Sequence, residues 1–198
     1  MTETLPPNTR ALIVFNPMAG QAESFQQDLQ AAAEIWRESG WQVDLRPTEG
    51  PGDGTRIARE AAEEGYDVVV AAGGDGTINE VVNGLAGTRA ALAPLPVGTM
   101  NVWARELGLP LQPRATAEAL LQARVRSIDL GRAGSRYFLL MAGVGFDAAV
   151  VGEVRSPEKR RLGILAYVLR AVTVALRFRG ARARVVVDGR RIGGRVLL

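Results

Sequence analysis

The chain of 198 residues contains neither cysteine nor histidine. Without cysteine there is no disulfide framework, no thiolate nucleophile and no cysteine-ligated zinc. Without histidine, Ser-His-Asp and Cys-His machinery and histidine-held metals are excluded as well. Lysine is scarce too: Lys159 is the only lysine among 24 basic residues. Long apolar runs are missing. The most apolar late stretch, Leu162 to Leu176, is interrupted by Arg170 and falls short of the roughly 20 residues that a spanning helix needs. The start, Met1-Thr2-Glu3-Thr4, is polar, with no apolar segment behind a basic one. These absences lead to the expectation of a cytoplasmic protein, soluble or peripheral at the inner membrane surface. Its chemistry must run on carboxylates, hydroxyls, backbone amides, arginine and a hard cation such as Mg2+.

What is present is ordinary globular material, 47% hydrophobic and 23% charged, enough for one domain and part of a second. Charge is uneven. Residues 1–100 carry a net −8 and residues 101–198 a net +11. Such asymmetry fits a phosphate-bearing partner or an anionic surface, or simply a half-domain whose acidic complement lies elsewhere.

Ala11 to Phe15 is a continuous apolar run of strand length, broken by the turn residues Asn16-Pro17-Met18-Ala19-Gly20. Ser24 reads as the cap of a helix reaching Glu38, with Leu29, Ala32, Ala33 and Trp36 on one face. A strand over 41–45 follows, then a glycine-rich loop over 50–54. Thr55 to Glu64 reads as a helix capped by Thr55. Asp67 to Ala72 is a second buried strand, and it runs into Gly73-Gly74-Asp75-Gly76 and a helix over 77–83. This βαβαβα order predicts a Rossmann-like parallel sheet covered on both faces. A strand over 92–96 holds two prolines, which suit an edge or a strand end. Helices are expected over 101–106 and 116–124. From residue 126 the character changes. Strands over 126–130 and 137–141 flank a Gly-Ser turn, a long helix spans 156–177, and strands over 183–187 and 195–198 flank the hairpin signal Asp188-Gly189. The expectation is a nucleotide-binding α/β domain over 1–125, then an incomplete β-rich domain over 126–198. The latter is expected to be the start of an antiparallel sandwich with an inserted helix, which these residues would not complete.

Gly73-Gly74-Asp75-Gly76 lies between a buried strand and a helix start. Glycines there let backbone amides approach an anion, and the helix N-terminus adds donors and partial positive charge. An aspartate in a phosphate cradle repels its ligand unless it holds Mg2+ or takes a proton from an attacking hydroxyl. That combination points to phosphoryl transfer. The bland alternative is a tight turn with Thr77 as cap. A Walker A loop is excluded because its lysine is missing, and the dinucleotide fingerprint fails where Asn79 replaces a glycine. The segment is not alone, since Asn16 to Gly20 and Gly98-Thr99-Met100-Asn101 also follow strands. Three such turns at the carboxyl ends of parallel strands converge on one crevice.

Asn16 to Gly20, the twelve residues Gly73 to Gly84, Leu95 to Asn101 and Gly143-Val144-Gly145-Phe146-Asp147-Ala148 together resemble the diacylglycerol kinase catalytic-domain family. That family includes bacterial lipid kinases, sphingosine kinases and ceramide kinases. The resemblance implies an ATP-dependent, Mg2+-assisted kinase acting on a lipid hydroxyl at a membrane surface. It implies nucleotide contacts at Asn16, Pro17, Met18, Ala19, Gly20, Thr48, Gly74, Asp75, Gly76, Thr77, Ile78, Asn79, Glu80 and Thr99. It places Asp75 by the transferred phosphoryl group, as base in one branch of the family, and Asp147 toward the acceptor. The other branch's base and the magnesium loop would lie beyond Leu198. Many members carry an acid after the Gly-Thr-Met-Asn turn, where this chain has Val102. The acceptor is therefore read only as diacylglycerol-like or sphingoid. Alternatives are a nucleotide-binding regulatory module without turnover, and a kinase for a soluble acceptor such as NAD.

Asp147 also reads as a simple cap among glycines. The basic stretch over 155–177 reads either as a helix packed on its own domain or as one lying on an anionic bilayer. Nucleic acid is not an expected partner, because no aromatic-plus-basic platform is present. An unfinished sandwich leaves a sheet edge to pair, so a homodimer is one partner reading.

Overall fold

The structure, a computed structural model, describes residues 3–17, 22–143, 145–153, 171–175 and 181–196. Residues 1–141 form one compact unit and residues 142–198 a second.

After a two-residue strand β1 (Glu3–Thr4), the first unit is built on four parallel strands: β2 (Arg10–Phe15), β3 (Gln42–Pro47), β4 (Val68–Gly73) and β5 (Ala91–Pro96). Their order is β3-β2-β4-β5. The central strands are the two apolar runs. Ala11 to Val14 and all six residues of β4 are buried, as expected of strands covered on both faces. β3 exposes Gln42 and Asp44. β5 pairs only with β4 in this sheet and carries Pro94 and Pro96, which are tolerated at an edge because proline has no N–H to give.

Alternation along the strands assigns the two faces. Ala11, Ile13, Val68, Val70 and Ala72 pack with α1 (Ala22–Glu38) and α5 (Pro113–Leu121). The expected apolar face of α1, Leu29, Ala32, Ala33 and Trp36, is fully used there. The buried Trp36 indole N–H donates to the Ala117 carbonyl at 3.0 Å, tying the two helices together. Leu12, Val14, Val69 and Ala71 pack on the other face with α2 (Asp53–Glu63), α3 (Asp75–Leu85) and Trp103 of α4 (Val102–Glu106).

β6 (Arg124–Val125) returns to pair with β1. A hairpin of β7 (Gly131–Ala133) and β8 (Arg136–Phe138) turns at Gly134-Ser135, as expected. Its first arm, however, is 131–133 and not 126–130. A two-residue turn pairs the residues beside it, which leaves 126–130 irregular. The hairpin is anchored on α3. The Asn83 side-chain amide donates to the Tyr137 carbonyl at 2.9 Å and accepts its N–H at 2.8 Å. One side chain thus stands in for a strand partner.

In the second unit, α6 (Phe146–Glu153) and the helical residues 171–175 precede a hairpin of β9 (Ala181–Val187) and β10 (Arg190–Val196). Val187 pairs with Arg190 across Asp188 and Gly189, whose φ values are 50° and 78°. That is the left-handed pair the sequence signal requires. The expected fold class, a parallel α/β sheet followed by antiparallel strands with a helix between them, is what the chain forms. The long basic helix expected over 156–177 lies outside the described residues, apart from 171–175. Among the described residues no helix is long and apolar enough to cross a membrane.

α2 and α3 cross at Gly84. A Cβ there would come within 2.7 Å of the Ala58 Cβ and 3.0 Å of the Arg59 amide nitrogen, and closer still to the Thr55 carbonyl oxygen. Backbone atoms cannot rotate aside. The overlap should therefore outweigh the better helix propensity of alanine, and Gly84→Ala should lose about 1–2 kcal/mol net. Urea unfolding checks this: the midpoint should fall with the m-value unchanged.

Candidate active site

The strand order reverses around β2, with β3 on one side and β4 and β5 on the other. Parallel sheets bind ligands at the carboxyl ends of strands beside such a reversal. Four segments arrive there. Asn16 and Pro17 follow β2, Thr48 follows β3, Gly74 and Asp75 follow β4, and the 97–101 turn follows β5. Met18, Ala19 and Gly20 lie outside the described residues.

α3 starts with Gly74 as its N-cap in extended conformation. The first helical hydrogen bond is the Ile78 N–H to the Gly74 carbonyl, 3.2 Å. The amides before Ile78 are the ones a helix does not satisfy internally, and Gly74 has no side chain with which to cap them. Asp75 sits among them. Its Oδ1 accepts the Trp103 N–H at 3.2 Å, which holds the carboxylate and caps the short α4 together. The β5 turn closes on itself. Asn101 is buried with φ of 49°. Its side chain accepts the Gly98 N–H and donates to the Gly98 carbonyl, each at 2.9 Å. Asparagine tolerates that left-handed backbone better than most residues. The closed turn brings Gly98 against Gly74. A Cβ on Gly98 would stand 3.0 Å from the Gly74 nitrogen and nearer to its Cα.

The glycine-rich loop after β3 looks like a second cradle, but its donors are occupied. Asp53 Oδ2 accepts the N–H groups of Glu49 (2.8 Å) and Gly50 (3.1 Å). The Glu80 carboxylate accepts those of Gly52 (3.1 Å) and Gly54 (2.9 Å). Thr48 extends the sheet by one rung, its N–H donating to the Phe15 carbonyl at 2.8 Å.

The structure therefore gathers Gly74, Asp75, Gly76 and Thr77 at one helix start, and sets Thr99 exposed in the adjoining turn. Ile78 is taken up by the fold: its side chain is 2% exposed in the core and its N–H is in the helix. Asn79 is half-buried, and its carbonyl accepts from Asn83 at 2.8 Å. Glu80 is engaged by the β3–α2 loop. Asp147 lies in α6 of the second unit. Thr55 and Thr77, expected as caps, lie inside helices that begin two residues earlier. The side chains of Trp103, Asn101 and Asn83 were given no role from sequence. Only Asn101, three residues after Gly98, carried a turn signal.

Among the described residues no group of three or more acidic side chains is placed to hold a metal ion. A magnesium ion shared with phosphate oxygens asks the protein for only one or two carboxylates, and Asp75 at the head of α3 fits that requirement.

The sequence profile described as "Diacylglycerol kinase catalytic domain" matches residues 10–133. A protein named diacylglycerol kinase from Bacillus subtilis (strain 168) is 37% identical over 192 residues, 96% of this chain and 63% of that protein. A Pseudomonas putida protein named probable lipid kinase YegS-like is 44% identical over 147 residues, 73% of this chain and 50% of that one. The solved structure of a diacylglycerol kinase from Bacillus anthracis str. Sterne superposes with a TM-score of 0.73 at 27% identity, covering 95% of this chain and 62% of that one. The chain thus spans between half and two thirds of the length of these relatives.

The Glu49 backbone N–H above all, then Arg56 and the Gly50 N–H, hold the Asp53 carboxyl below its ordinary pKa. The unfolded chain therefore binds a proton more readily than the native one. The stabilisation is complete above the ordinary aspartate value, about 3.9, and disappears as pH falls through the lower native value. Asp53→Asn should flatten that part of the profile. In urea unfolding at pH 7 and at pH 3, the wild-type midpoint should fall further between the two than that of the variant.

Proposed function

The chain belongs to the diacylglycerol kinase catalytic-domain family, and from that membership we propose an ATP-dependent kinase that transfers the γ-phosphoryl group to a lipid hydroxyl. The observation that carries the reading is the start of α3. A glycine-capped helix N-terminus, with an anchored carboxylate in its first turn, opens at the strand-order reversal of a parallel sheet. The unsatisfied amides of that turn would bind and orient phosphate oxygens, and the helix dipole favours their charge. Asp75 would serve in one of two roles: as a ligand for Mg2+, or as acceptor of the proton leaving the attacking hydroxyl. The Trp103 N–H bond orients the carboxylate for either. Mg2+, when bound, supplies charge neutralisation on the phosphates. Most of the acceleration would come from position and electrostatics.

The acceptor is proposed as diacylglycerol-like or sphingoid, met at the inner face of a membrane by a peripheral protein. Asp147 is proposed to face the acceptor. The names of the Bacillus and Pseudomonas relatives support a lipid substrate over a soluble one.

Gly76 offers the discriminating test. A Cβ on it would meet no described atom within 4 Å, and alanine is the better helix former by about 1 kcal/mol. Gly76→Ala should therefore keep or raise the unfolding temperature of the ligand-free chain. It should also reduce the thermal shift produced by Mg-ATP, because the new methyl stands where phosphate would lie. Gly98→Ala is the contrast: its Cβ runs into Gly74, and it should destabilise the ligand-free chain itself. An undiminished Mg-ATP shift in Gly76→Ala would move the nucleotide elsewhere. Asp75→Asn keeps an acceptor for Trp103 but loses the charge. It should retain stability while abolishing phosphate transfer from labelled ATP to diacylglycerol or sphingosine in mixed micelles, assayed in the longest expressible form of the protein.

A further inference from the structure

We infer that Glu80 is a positioning residue, which latches the β3–α2 loop onto α3 and does not act as a ligand of nucleotide or metal. The inference rests on the nucleotide reading of the α3 cradle. Both carboxylate oxygens already accept backbone N–H groups: Oε1 from Gly52 at 3.1 Å and Oε2 from Gly54 at 2.9 Å. The Thr55 hydroxyl donates to the Glu80 carbonyl at 2.9 Å. Glu80 thus supplies the cap that α2, with a glycine N-cap, cannot supply for itself. A negative charge at that helix end is electrostatically favoured as well.

Gly54 is shaped to this contact. A Cβ on it would lie 2.8 Å from Oε2 and 2.9 Å from the Cβ of Glu80. Only glycine lets the carboxylate lie flat against the loop. Asp53 holds the other end of the same loop through Glu49 and Gly50. Two carboxylates together therefore hold four amides between Glu49 and Gly54, and Thr48, just before them, is held by β2.

Glu80 lies on the helix whose first turn is the cradle, about 7.5 Å along the axis from Asp75. Loop and cradle are thereby fixed to one rigid element. A loop released from Glu80 would have to be re-ordered whenever nucleotide binds, which lowers affinity without removing any contact to the ligand.

The test uses Glu80→Ala and Glu80→Gln. Amide hydrogen exchange is followed by NMR in the nucleotide-free chain, and ATP affinity is measured with and without Mg2+. In Glu80→Ala the Gly52 and Gly54 amides should exchange at least about tenfold faster, as when a hydrogen bond to a charged acceptor is lost. Exchange in the Trp36–Ala117 region of the core should not change. Affinity should fall by the same factor for Mg-ATP and for metal-free ATP. Glu80→Gln, which keeps one acceptor oxygen, should lie between wild type and Glu80→Ala in both readouts, and it carries the test if the alanine variant does not fold. Unchanged exchange at Gly52 and Gly54 overturns the latch. Faster exchange with unaltered affinity overturns the positioning role. A loss of affinity confined to Mg-ATP makes Glu80 a metal ligand and overturns the inference. A wild-type chain that does not bind ATP at all overturns the nucleotide reading instead, and the latch is then decided by exchange alone.

Discussion

The carboxyl end of the sheet depends on two backbones coming together without side chains between them. Gly74 follows β4 and caps α3, and Gly98 lies against it from the turn after β5. Any Cβ on Gly98 would separate them. The reciprocal side-chain bonds from the buried Asn101 to Gly98 hold the turn in that position at the expense of a left-handed backbone. With the turn in place, α4 begins where its Trp103 N–H reaches Asp75, and the Trp103 ring enters the core beneath. The carboxylate at the head of α3 is consequently oriented by core packing. A site placed on rigid elements in this way needs little reorganisation when charge is brought to it.

α3 is the element to which the rest of this region is attached. Three of its side chains meet backbone from three different neighbours. Asp75 takes an amide of α4, Glu80 takes one from the β3–α2 loop and one from the first turn of α2, and Asn83 takes both polar groups of Tyr137 in β8. Two glycine-rich loops at the same end of the sheet have opposite fates for this reason. One has its amides occupied by carboxylates from Asp53 and Glu80. The other begins a helix whose N-cap has no side chain. The difference lies in which acidic residue faces each loop, since both carry an aspartate and several glycines.

Much of the fold was legible because its signals are local. Apolar runs at Ala11–Phe15 and Val68–Ala72 have strand length and end in turn residues, which marks them as buried strands, Leu29 to Trp36 repeat at helical spacing, and Pro94 and Pro96 mark an edge. Asp188-Gly189 specified its turn for the same reason, because the backbone conformation of two residues is a property of those two residues. Where the reading slipped, a distant partner was deciding. Thr55 is a plausible cap in isolation, yet α2 starts two residues earlier because Glu80, 26 residues away, caps it. The strand expected over 126–130 gave way to 131–133, next to the turn and beside the helix that Asn83 presents.

The order of the elements, the parallel sheet, the three turns at its carboxyl end and the family they mark were determined by the sequence itself, since each rests on hydrophobic period, chain breakers or contiguous residues. Tertiary structure alone decided which of the candidate site residues stay uncommitted at the carboxyl end of the sheet. Ile78 turns into the core because helical phase puts it there. The Glu80 carboxylate is withdrawn because two amides lie within reach of it, and Asp75 is held because α4 ends up beside it. Hydrogen-bond partners drawn from separate elements exist only after packing has brought those elements together, and no linear pattern encodes the distance between them.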